Sequence, residues 1–120
     1  MLAEIQETRQ IEGEGFRRWF TDEKLDLIIW YREAGGEITG FQLCYDKDRD
    51  EKALTWTREG GFVHERVDSG EAKGYGHKGT PIMVADGKFN KGRALEQFNE
   101  RAKQIDAPLR GFVTDTIIQA

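Results

Sequence analysis

Two glycine pairs, Gly35-Gly36 and Gly60-Gly61, constrain this chain more than any other feature in it. Glycine adopts positive φ at no steric cost, so a Gly-Gly pair between two apolar runs closes a tight hairpin. Residues 24–32 (KLDLIIWYR) and 37–45 (EITGFQLCY) flank the first pair, and 53–58 (ALTWTR) and 62–68 (FVHERVD) flank the second. These runs are rich in the β-branched and aromatic residues that suit a pleated, half-buried surface. Successive hairpins make each strand the antiparallel neighbour of the next, so the spacing predicts a meander. The wholly charged stretch at 46–51 (DKDRDE) must lie in water between two of the strands.

Residues 80–86 (TPIMVAD) predict one further short strand. At Phe89 the period changes from two to about 3.6, with Ala94, Leu95, Phe98, Ala102 and Ile105 on one helical face. Asn90 is placed to cap this helix and Phe89 to pack back on it. Asp106, followed by Ala107 and Pro108, has the form of a second N-cap, with Leu109, Phe112, Val113 and Ile117 as the buried stripe. Strands first and helices last is the α+β order. The expected architecture is an antiparallel meander of five or six strands, followed by two C-terminal helices packed on one face. Residues 1–15, ending in the turn signals Gly13 and Gly15, form an edge strand or a mobile arm.

At 120 residues there is room for one domain, spanning 1–120. Only 38% of residues are hydrophobic against 33% charged. Disorder is nevertheless excluded by three tryptophans, three tyrosines and seven phenylalanines, which disordered chains lack. Cys44 is the single cysteine, so no internal disulfide can form. The start, MLAEIQETRQ, has neither the apolar run of a signal peptide nor the acid-poor make-up of a transit peptide. The longest apolar run, Leu27 to Tyr31, is far too short to span a membrane. A soluble cytoplasmic protein is expected. The net charge of −4, with bases dispersed among acids, argues against a nucleic-acid partner.

Motifs for specific chemistry are weak. Asp46, Asp48 and Asp50 open like a calcium loop, but Glu51 stands where its sharp-turn glycine belongs. In the glycine-rich segment 69–79 (SGEAKGYGHKG) the lysine precedes the last glycine and Pro81 follows, whereas a phosphate loop opens a helix. The same segment, with His77 and Lys78, is a candidate for wrapping an anion by backbone N–H groups. No metal or cofactor is implied. Cys44, between Leu43 and Tyr45, reads as a small buried hydrophobe rather than a nucleophile. Arg17-Arg18-Trp19-Phe20 has the composition of a stacking surface for single strands. Its plainer meaning is a core Trp19, with both arginines paired to Asp22, Glu23 and Asp26.

Two features bear on function. His64, Arg66 and Asp68 share one face of a strand and include a group that titrates near neutral pH, a candidate acid–base site under the 69–79 segment. The second feature is two-sided apolar patterning. Phe41, Leu43 and Tyr45 oppose Ile38, Gln42 and Cys44, while Leu25, Leu27, Ile29 and Tyr31 oppose Ile28 and Trp30. An antiparallel sheet with one wet face alternates more cleanly than this. Two short helices cover one side, so the other needs a cover from sheet curling, the N-terminal segment or a partner. The leading expectation is therefore a binding module. Its second face, with Trp30, Cys44 and Trp56, would take a copy of itself or a small apolar ligand. The acid–base site and an anion surface at Arg17, Arg18, Lys73 and Lys78 are the alternatives.

Overall fold

A computed structural model describes residues 1–68, 82–85 and 89–120, with Asp68 and 82–85 described by their backbone alone. Seven strands form one sheet in chain order: β1 (Ala3–Glu4), β2 (Phe16–Thr21), β3 (Asp26–Tyr31), β4 (Ile38–Tyr45), β5 (Lys52–Thr57), β6 (Gly61–Asp68) and β7 (Ile82–Ala85). Every neighbouring pair is antiparallel, as the glycine pairs require. Gly35 and Gly61 take positive φ, +79° and +72°, at the two turns where only glycine enters without strain. The helices α1 (Lys91–Arg101) and α2 (Ala107–Ile118) follow. The fold is α+β, an antiparallel meander closed by two C-terminal helices.

Both helices begin where their caps lie. The Asn90 side chain accepts from the Arg93 N–H and that of Asp106 from the Leu109 N–H, satisfying donors that a helix start leaves unpaired. The helices pack on one face of the sheet. Phe20, Leu27, Ile29, Phe41, Leu43 and Leu54 meet Ala94, Phe98, Ile105, Leu109, Val113 and Ile117 in a single apolar cluster. Leu2, fully buried, joins it from the N-terminus and donates its N–H to the Arg101 carbonyl at 2.8 Å.

Two buried carboxylates pin the helical layer to the strand ends. Asp22, in the β2–β3 turn, receives Arg101 at 2.7 Å, the backbone N–H groups of Lys24 and Leu25 at 2.8 Å each, and the N-terminal amine at 3.3 Å. Asp46, at the end of β4, accepts from Nε and Nη2 of Arg93, 2.9 and 2.7 Å, and from the Gln97 amide at 2.9 Å. It does so from a left-handed backbone conformation, φ +57°, which aspartate tolerates better than most residues.

One irregularity alters a face. Trp30 pairs with Gly40 but Tyr31 pairs with Ile38, so Thr39 is an extra residue and β4 is bulged. The bulge turns Ile38 onto the helix side, where it packs against the core. Strict alternation had assigned it to the opposite face with Gln42 and Cys44. No helix among the described residues is long and apolar enough to cross a membrane.

Candidate interaction surface

On the side away from the helices, the register aligns side chains in three rows across β2 to β6. The middle row is Trp19, Ile28, Gln42, Thr55 and Val63. Above it run Arg17, Trp30, Gly40, Thr57 and Gly61; below it, Thr21, Asp26, Cys44, Ala53 and Glu65. Trp19, Ile28, Trp30 and Gln42 are half-buried and Val63 is 48% exposed. Among the described residues no helix packs there. Residues 5–10 hydrogen-bond along the free edge of β2: the Ile5 N–H donates to the Trp19 carbonyl at 2.8 Å, and Gln10 exchanges two bonds with the Arg17 backbone, 2.9 Å each. The N-terminal segment therefore widens the sheet.

This face is polarised. At the Arg17 end, the guanidinium lies 6.0 Å from the Trp19 ring centre and donates its Nε–H to the Arg9 carbonyl at 2.8 Å. At the other end Lys47 bonds to Asp26 at 2.9 Å and to the Asp22 carbonyl at 2.8 Å, while Thr21 donates to Asp26 at 2.5 Å. Burial raises the Glu51 carboxyl above its ordinary value, and the Asp26 charge adds to this. Burial also pushes the Cys44 thiol up to about 12, with Glu51 and Asp26 reinforcing the shift. Such a thiol is a packing group with no nucleophilic character at neutral pH. Glu65 has no ion pair among the described residues.

The residues singled out by sequence divide between two faces. Trp30 and Cys44 lie on the open face. Trp56 does not: it packs between Phe41, at 5.8 Å, and Phe112 of α2, at 5.7 Å, under the Arg58 guanidinium. The sheet period puts Trp56 opposite Phe41, and Phe41 belongs to the core. Trp19, expected in the core, sits instead on the open face, and its Nε1–H is buried with no hydrogen-bond partner among the described residues. Arg17 and Arg18 are adjacent in a strand and so point to opposite sides. Arg18 is held by Glu4 at 2.8 and 2.9 Å rather than by the acids of the β2–β3 turn, and no continuous stacking surface forms. His77, Lys78 and Lys73, with the rest of the 69–79 segment, lie outside the described residues.

His64 faces the helix side, bonded through Nε2 to the Tyr45 hydroxyl at 2.7 Å and packed 5.0 Å from the Phe89 ring. Arg66 is exposed, and the Asp68 side chain lies outside what is described. A cleft of about 400 Å³ opens nearby, lined by Tyr45, Asp46, Arg49, Asp50, Lys52, Asn90 and Arg93. Of its three cations, Arg93 and Lys52 are already paired with Asp46 and Asp50, while Arg49 has no ion pair among the described residues. Asp48 is likewise taken by Lys24, so the three aspartates of the calcium-like run are each bound to a cation. Among the described residues no group of three or more His, Cys, Asp or Glu side chains is gathered to hold a metal ion.

These features define a class of protein, a helix-backed antiparallel meander with one aromatic, charge-polarised sheet face that no helix among the described residues covers. Compared with protein-family models, curated proteins and solved structures, the chain matches none of them.

Proposed function

We propose that this protein is an interaction module that self-associates through the open face of its sheet. The observation that carries this is the middle row, in which half-buried Trp19 and Ile28 and exposed Val63 lie on either side of Gln42 and Thr55, with no helix among the described residues over them. An antiparallel sheet that met only water there would alternate to polar residues. A broad sheet face also suits a second broad surface better than a small molecule, which needs a concave site. Sheet-on-sheet packing supplies one, with inner-face side chains interdigitating at about 10 Å separation.

Sedimentation velocity between about 1 and 200 μM, a span over which weak association is resolved, tests this. A concentration-dependent dimer that Val63→Asp abolishes is expected, since a carboxylate on an exposed site disturbs the interface and not the core. A native protein that stays monomeric throughout, or a variant that associates as the native does, would remove the proposal.

A further inference from the structure

The geometry points to a two-fold dimer in which Arg17 of each copy pairs with Glu65 of the other. This rests on the self-association proposed above and specifies its arrangement. Arg17 and Glu65 occupy opposite corners of the open face: Arg17 in the upper row on β2, Glu65 in the lower row on β6. Four strand spacings and four residues separate them, roughly 20 Å or more, so they cannot pair within one chain. Glu65 has no ion pair among the described residues. Arg17 carries its charge beside Trp19, and among the described residues only its Nε–H is committed, to a carbonyl.

Stack two such faces about a two-fold axis lying between them. If that axis crosses the middle of the face at right angles to the line from Arg17 to Glu65, each Arg17 comes over the partner's Glu65, and the pair forms twice. The sheets then cross at a steep angle, one of the two ways twisted sheets pack. A separation of about 10 Å between sheets matches the combined reach of an arginine and a glutamate. Alignments that leave both Arg17 side chains over bare backbone or against each other forgo this complementarity, and like-charge contacts oppose association.

The face is small. Five strands at ~4.8 Å and about five residues at ~3.4 Å give roughly 400 Å² in plan for each copy. A standard stable interface buries about 800 Å² per partner. The dimer is therefore a weak one, and its corner charges weigh in both register and rate.

Sedimentation velocity on native protein, Arg17→Glu, Glu65→Arg and the double charge swap tests the arrangement, with Val63→Asp alongside. Each single reversal is expected to raise the dissociation constant about tenfold, because it acts twice per dimer. The double swap is expected to restore association to within about threefold, and the native dimer to weaken in 0.5 M salt. Matched melting temperatures confirm folding; if losing the Arg9 bond unfolds Arg17→Glu, Glu65→Arg decides alone. A dimer broken by Val63→Asp but indifferent to either reversal would overturn this pairing and leave the open-face dimer standing. A protein that is monomeric, or whose dimer ignores Val63→Asp, would overturn both.

Discussion

Burial and two neighbouring carboxylates hold the Cys44 thiol up to about 12, against about 8.5 for a free cysteine. Only the thiolate reacts, so the folded protein should be modified by a disulfide reagent at pH 8 at least ~100-fold more slowly than unfolded protein. A thiol titration with and without urea checks this; equal rates would mean the side chain is accessible. Its apolar neighbours Leu43 and Tyr45 made the packing role legible from sequence. The carboxylates were not legible, because Asp26 arrives from β3 and Glu51 from the far side of the β4–β5 turn. Gly40 is a second residue whose meaning lies in register. A Cβ there would meet the Trp56 carbonyl oxygen at 2.6 Å, with Thr57 atoms at 3.1 and 3.2 Å. The obstruction is backbone, which cannot rotate away, so Gly40→Ala should lower stability by about 1–3 kcal/mol in urea unfolding.

Among the elements, α1 is fastened at both ends by carboxylates from turns of the sheet. The Arg93 bonds hold Asp46 down at about 2 against the opposing effect of burial, with Gln97 helping. Burial opposes ionisation of Asp22, but Arg101 and the Lys24 and Leu25 N–H groups outweigh it and bring that carboxyl to about 2. Both folded values lie below the unfolded value near 3.9, so the unfolded chain binds more protons in acid. Their stabilisation is complete above about pH 5 and is lost as pH falls from about 4 toward 2. Through these two groups urea midpoints should change little between pH 5 and 7 and drop steeply below pH 4. Asp22→Asn should lower the neutral-pH midpoint and flatten the acid limb; an unchanged acid limb in that variant would show that Asp22 does not link the layers. The caps of both helices could be read directly, since Asn90 and Asp106 act on backbone three residues away. The anchors could not, because Arg101 and Asp22 are separated by most of the chain. Thr39 was equally opaque: a single extra residue reverses the side to which Ile38 points, and alternation counted along one strand cannot reveal it.

For the whole molecule, the decisive property is an imbalance. Among the described residues a seven-stranded sheet offers two faces, and two helices of 11 and 12 residues cover one. The apolar residues of the open face were visible as two-sided patterning in residues 24–32 and 37–45. That patterning could not separate Trp30 from Trp56, because two strands can be aligned so that either pair of faces coincides. The register settles it. Trp56 aligns with Phe41 and is packed under α2, while Trp30 aligns with Gly40 on the open side. For the same reason the run Arg17-Arg18-Trp19-Phe20, compact in sequence, is divided between the two sides of the sheet.

What the sequence determined by itself was everything governed by neighbours a few residues apart. Glycine pairs closed hairpins, a change from period two to period 3.6 marked the start of the helices, and side-chain caps fixed where they begin. Those choices depend on local sterics and local hydrogen bonds, which the chain carries wherever it goes. Only the tertiary structure decided which face each strand turns to the helices, which carboxylates hold the layers, and which side is left open. Those outcomes follow from the alignment of strands distant in sequence and from how much area two short helices can cover.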